Sequence, residues 1–162
     1  MFVDAALQLS GSITGNTVTG QDVHATDTSV LSTNAIDVAS QGVPSGQVAD
    51  WGEGQSLYGR FETTVAIGTG TSVEMQIIAA DAAALTGNVT VIGSTGAILA
   101  ASLTIGKRFA CRINPRLASL GQRYIGARFV SVGTVTAITV TADLGIEVQD
   151  GAKFYPSGFA VL

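Results

Sequence analysis

The chain has one histidine, His24, and one cysteine, Cys111. Imidazole and thiolate are the usual base and nucleophile near neutral pH. A Ser–His–Asp triad would have to use His24, and no nucleophile-elbow motif accompanies it. His24 stands in a polar stretch, where a solvated loop side chain is the plain alternative to a catalytic one. One cysteine and one histidine cannot supply the clustered ligands of a zinc site. Cys111 sits in an apolar run and reads as a small core filler. Being single, it closes no intramolecular disulfide. Gly52-Glu53-Gly54 lacks the third glycine, preceding strand and following helix of a dinucleotide fingerprint. Gly68-Thr69-Gly70 and the glycines at 93 and 96 lie between apolar runs and read as turns. No acidic run has calcium-loop spacing. Asn88-Val89-Thr90 matches a glycosylation acceptor by chance spacing. No catalytic, cofactor-binding or metal-ligating residue is assigned, and the chain is not expected to be an enzyme. Function then falls to surfaces, edges and subunit contacts.

The elements that carry those surfaces follow from the apolar pattern. Residues 123–149 organise the chain. From Ile138 the even positions Ile138, Val140, Ala142, Leu144, Ile146 and Val148 are apolar, and the odd positions Thr139, Thr141, Asp143, Gly145, Glu147 and Gln149 are not. A period of two is one face of a pleated strand, dry on one side and wet on the other. The Gly133-Thr134 break is expected to fold this strand back on residues 123–132 as a hairpin. A second hairpin is expected from residues 56–67 and 73–79 about Gly68-Thr69-Gly70. Leu57, Gly59, Phe61, Thr63, Val65 and Ile67 share its dry face. Arg60, Glu62 and Glu74 fall on polar faces, where cross-strand charge pairs form.

Shorter elements fill the rest. Residues 7–13 alternate as a strand, Gly15-Asn16 turns, and Thr17-Val18-Thr19 returns. Residues 21–32 read as a loop or arm, and residues 33–38 as a short strand. Residues 39–55 form the longest irregular stretch and hold the only tryptophan, Trp51, which either pins the loop or meets a partner. Residues 81–85 suggest one helical turn capped by Asp81 and ended by Gly87. Residues 89–92, 97–99 and 107–113 read as strands, with Asn114-Pro115 as a stop. The tail, residues 151–162, holds Phe154, Tyr155 and Phe159 and is expected to dock on its own domain or a neighbour. The sum is an all-β, jelly-roll-like antiparallel β-sandwich spanning residues 1–162 as one domain, with an N-terminal arm at about 1–33.

Composition narrows the partners. The chain has 162 residues, 46% hydrophobic and only 12% charged, with a formal net charge of −4. Disorder needs the opposite balance. A nucleic-acid surface needs clustered Lys and Arg, so none is expected. The densest basic group, Lys107-Arg108 with Arg112, Arg116, Arg123 and Arg128 downstream, suits an acidic protein partner better. No apolar run approaches the roughly 18 residues of a membrane span. No secretory signal is visible, so synthesis and retention in a cytoplasm, or delivery by another route, are expected. Few charges among many β-formers favour an assembly that covers part of the surface.

Four pieces occur in order: Ser32-Thr33-Asn34-Ala35-Ile36-Asp37; Gly52-Glu53-Gly54 before Leu57-Tyr58; Gly106-Lys107-Arg108-Phe109; and Arg123-Tyr124-Ile125-Gly126-Ala127-Arg128-Phe129. With the Thr-rich strand that follows, the chain resembles the capsid cement (decoration) proteins of tailed bacteriophages, the family typified by the Bordetella phage cement protein. The resemblance covers about residues 32–149. It implies a jelly-roll-like fold, no enzymatic activity or cofactor, a homotrimer, and the major capsid protein as partner on the outer surface of the virion. Residues 10–30 look longer than the family usually carries, and residues 153–162 add an apolar tail. Trp51, Arg123, Tyr124 and Arg128 are the candidate subunit or capsid contacts. Ordinary strand packing and solvated charge are the plain alternative for Tyr124 and the two arginines. A carbohydrate- or receptor-binding β-sandwich of a phage particle is the second reading, and it needs more exposed aromatics than Trp51 alone.

Overall fold

The computed structural model describes residues 5–15, 17–38, 56–113 and 122–146. Their strands are β1 (Gln8–Ser10), β2 (Ser12–Thr14), β3 (Thr17–Thr19), β4 (Gln21–Asp22), β5 (Ser29–Leu31), β6 (Ile36–Asp37), β7 (Tyr58–Val65), β8 (Ser72–Ala80), β9 (Thr90–Leu99), β10 (Arg108–Arg112), β11 (Tyr124–Val132) and β12 (Thr139–Gly145). Two short 3₁₀ turns, Ala5–Leu7 and Ala100–Ser102, are the helical elements among the described residues. Sheet one runs β1-β12-β7-β10, with β4 also on β12. Sheet two runs β5-β11-β8-β9, with β6 also on β11. Every pairing between these strands is antiparallel. The all-β sandwich expected from the alternation is the observed fold.

The alternation fixes the core. Phe61, Thr63, Val140, Ala142 and Leu144 of sheet one, and Val73, Met75, Ile77, Ile125, Ala127 and Phe129 of sheet two, are buried. Phe61 and Phe129 meet edge to face across the layers, centroids 6.1 Å apart at 81°, a favoured aromatic geometry. Outside sheet two a smaller cluster forms from Ile78, Ala80 and Leu85, with Leu31, Ala35 and Tyr124 packed on it. Gly126 makes room for it: a Cβ there would meet Leu85 Cδ1 at 2.2 Å.

Both expected long hairpins are instead crossings between the sheets. β11 pairs with β8 and β12 with β7, so the chain changes layer at residues 66–71 and again at 133–138. The result is one paired ribbon, β7 with β12 and β8 with β11, folded over on itself as in a jelly roll. The two crossings lace to each other rather than closing locally. Gly68 N–H donates to Thr136 O at 2.7 Å and Thr71 N–H to Val132 O at 3.0 Å. Thr69 Oγ1 donates to Thr134 O at 2.8 Å. Gly70 and Gly133 supply the positive φ the crossings need, 127° and 78°.

Four further expectations change. Residues 21–32 are no free arm: β4 extends sheet one, β5 extends sheet two, and Val23 between them is fully buried. The odd face of β12 is not wet, because Thr141 and Asp143 lie buried beside Gln8 and Ser10 of the N-terminal strand. Residues 81–85 form turns, not a helix, with Leu85 at φ 57°. Residues 90–99 are one strand, in which Thr95 Oγ1 bonds Met75 N and O where the register slips. The hairpin about Gly15 is as expected, with Ile13 opposite Val18.

Candidate contact surface

Along β11 the inward residues Ile125, Ala127, Phe129 and Ser131 are buried, and Tyr124, Arg128 and Val130 are half-buried on the outer face. Strand alternation alone therefore presents Tyr124 and Arg128 on one surface, about 13 Å apart along the strand. Arg123 stands just before them.

Each of these side chains is held. Arg123 Nε and Nη2 donate to Asp37 Oδ1 and Oδ2 at 2.8 and 2.6 Å. The Arg123 guanidinium carbon lies 5.3 Å from the Tyr124 ring centre, within reach of a cation–π contact. Asp37 comes from β6, whose pairing with β11 sets it opposite Tyr124. The carboxylate hydrogen bond raises the Arg123 pKa further. Arg128 Nε donates to Gln76 Oε1 at 2.8 Å. Gln76 Nε2 donates to Glu74 Oε1 at 2.7 Å, and Ser94 Oγ donates to the same oxygen at 2.6 Å. These bonds, more than the nearby Arg128 charge, hold the Glu74 carboxyl below its usual range. Fork geometry and a relayed hydrogen-bond chain fix direction as well as strength.

The structure thus sets Arg123 against Tyr124 and places Arg128 further along the same strand, on the outer face with Tyr124. Trp51 lies outside the described residues. The partners Asp37, Gln76, Glu74 and Ser94 were not singled out as contacts from sequence. Asp37 closes the first motif quoted above, but nothing local ties it to Arg123, 86 residues away.

The other chemically able groups stay apart from this face. His24 Nδ1 lies 2.5 Å from Asp22 Oδ1 on the exposed surface. Among the described residues no hydroxyl or thiol hydrogen-bonds that imidazole to complete a triad. Cys111 is buried, and burial pushes its thiol up to about 11, so it remains a protonated packing group. On the outer face of sheet one, Arg60 Nε and Nη2 grip Asp143 Oδ1 and Oδ2 at 2.9 and 2.7 Å. Gly145 leaves the space: a Cβ there would sit 2.5 Å from Arg60 Cζ. Arg108 Nε reaches Glu62 Oε2 at 3.0 Å. No described cluster of three His, Cys, Asp or Glu could hold a metal ion. No helix among the described residues is long and apolar enough to cross a membrane.

The arrangement offers a sheet face with its polar groups fixed and pointing outward. Comparison with known proteins gives one family: the model described as Bbp16 matches residues 18–144. The match begins in β3 and ends in β12. It takes in all of residues 18–30, reaching further toward the N-terminus than the four motif pieces. No curated protein matches the chain.

Proposed function

The chain belongs to the Bbp16 family, a Bordetella phage protein family, and is a phage structural protein and virion component; from that premise we propose that it is a capsid cement protein. It binds the outer surface of a phage head as a homotrimer where capsomers meet, contacts the major capsid protein, and strengthens the shell against internal DNA pressure. It does so without catalysis or a cofactor. The observation that carries this reading is the family match across both sheets.

The geometry supports it. Side chains already locked in their poses lose little freedom on binding, which leaves more of the contact energy as affinity. Arg123 and Tyr124 also lie at a particular end of the sandwich. Val38, Ser56, Ile113, Gln122 and Ile146 flank residues 39–55, 114–121 and 147–162. The register places these flanking positions at the end opposite the laced crossings. Val38, the last described residue before the stretch that holds Trp51, donates its N–H to Arg123 O at 3.0 Å. Three copies on a threefold junction make three equivalent contacts. The first raises the effective concentration of the others, so modest contacts sum to firm attachment. The gross gain is about 25 cal/mol per Å² of apolar surface buried.

Light scattering of the purified protein, followed by addition to heads that lack it, tests the reading. A trimer that pellets with the heads and raises their heat resistance is expected. A monomer without affinity for heads overturns it.

A further inference from the structure

We infer that copies of this chain join head to tail through the two opposite edges of sheet one, with Lys107 of one copy facing Asp22 and Asp27 of the next. The inference rests on the homotrimer proposed above and names its contact.

The charges that remain after pairing carry the argument. Among the described residues, Arg60, Arg108 and Arg123 hold carboxylates, and Arg128 joins the Gln76–Glu74 chain. Lys107 and Arg112 have no ion-pair partner among the described residues, and both are exposed. The exposed carboxylates with no lysine or arginine partner there are Asp22, Asp27 and Asp81. Asp22 keeps one oxygen on His24, which holds its pKa down, and Asp27 Oδ1 accepts the Gly133 N–H at 2.7 Å.

Their placement is directional. Gln21 of β4 opposes Val140, Val140 opposes Thr63, and the Thr63 N–H bonds Lys107 O at 3.0 Å. One row across sheet one thus starts beside Asp22 and ends at Lys107. Three strand spacings separate them, about 14 Å. Asp27 lies at the same end, bonded to Gly133 in the crossing. Arg112 and Asp81 lie at the other end of their strands and take no part. Rotation about an axis along the strands brings Lys107 of one copy level with Asp22 of its neighbour. A head-to-tail contact of this kind closes into a ring when the rotation closes. Opposite charges at matched height set register and suppress wrong approaches, in a molecule whose net charge of −4 otherwise repels its copies. The contact lies away from the Arg123 end and leaves that end free for a shell.

The test is a charge swap. Lys107→Glu, Asp22→Lys, the two together in one chain, and Asp22→Asn are compared with the wild type. Light scattering over a dilution series is run at about 50 and 500 mM salt, which changes screening severalfold. Circular dichroism confirms each fold. The wild type is expected as a trimer. Each single reversal sets like charges face to face and should dissociate at roughly tenfold higher protein concentration or more. Asp22→Asn should fall between. The double variant restores opposite charges at every contact and should recover the trimer. Salt should weaken the wild type and strengthen the single reversals. A wild-type trimer indifferent to the reversals, or a double variant no better than either single, overturns the contact and leaves the trimer standing. A wild-type monomer overturns both.

Discussion

Two arginine–carboxylate forks sit on opposite outer faces of this sandwich, and they differ in burial rather than in bonding. Arg60 and Asp143 bridge β7 and β12 of sheet one, with side chains 16% and 2% exposed. Arg123 and Asp37 bridge β11 and β6 of sheet two, with side chains 50% and 25% exposed. Both are bidentate. The first is buried beside Gln8 of the N-terminal strand, on the face that alternation alone reads as wet. The second stands in water next to Tyr124. The same chemistry therefore serves different ends: the sealed fork ties two neighbouring strands of one sheet, and the open one holds a surface in shape.

Breaking the sealed fork should give the largest effect. Asp143→Ala takes from the Arg60 guanidinium the carboxylate that it grips. Removing one partner of a buried pair costs about 3–5 kcal/mol. Urea denaturation should show that loss as a lower midpoint at unchanged slope. Replacing both partners, Arg60→Met with Asp143→Leu, should recover most of it, because an apolar pair of similar volume needs no desolvated charge. A wild-type midpoint for Asp143→Ala would place that pair with the surface forks.

Sheet membership was the part that the residues did not disclose. Period-two alternation located β7, β8, β11 and β12 and most of their core-facing side chains, although Val65 and Ile146 are exposed and Ile78, Thr141 and Asp143 are buried on the opposite faces. It does not say which strand each hydrogen-bonds. Gly68-Thr69-Gly70 and Gly133-Thr134 look like hairpin turns because a turn and a crossing ask the same local conformations of glycine. The distinction lies in Thr69 and Thr136 bonding each other across 67 positions. The buried polar layer escaped for a related reason: Asp143 looks solvated until Arg60 and Gln8, from distant strands, are set beside it. Of the candidate contact face, Arg123, Tyr124 and Arg128 were legible as one motif along β11 and the residue before it. Asp37 and the Gln76–Glu74–Ser94 chain were not, because long-range pairs leave no local trace.

Opening the exposed fork should separate shape from stability. Asp37→Ala should leave the melting temperature near that of the wild type, since an ion pair in water adds little. Under the cement reading it should weaken attachment to heads, because Arg123 loses the pose that the carboxylate enforces. Pelleting against heads lacking the protein, beside a thermal melt of the same sample, makes the comparison. Attachment unchanged with Asp37→Ala would remove Arg123 from the contact.

The smallest effect is one of pH, and the two faces should answer it with opposite signs. Burial pushes the Asp143 carboxyl up, against the pull of Arg60. A raised folded value gives stability that is complete below the ordinary aspartate range and is lost as pH rises through the folded value. Hydrogen bonds from Gln76 and Ser94 push Glu74 down. A lowered folded value gives stability that is present above the ordinary glutamate range and is lost as pH falls through the folded value. Stability curves between about pH 3 and 6, spanning both carboxylate ranges, should show this against two variants. The advantage of the wild type over Glu74→Gln should shrink toward acid. The advantage of the wild type over Asp143→Asn should grow toward acid, since the protonated acid is the form that burial favours. Parallel slopes for the two variants would mean that the two faces present the same environment to a carboxylate, and the contrast between the faces would fail.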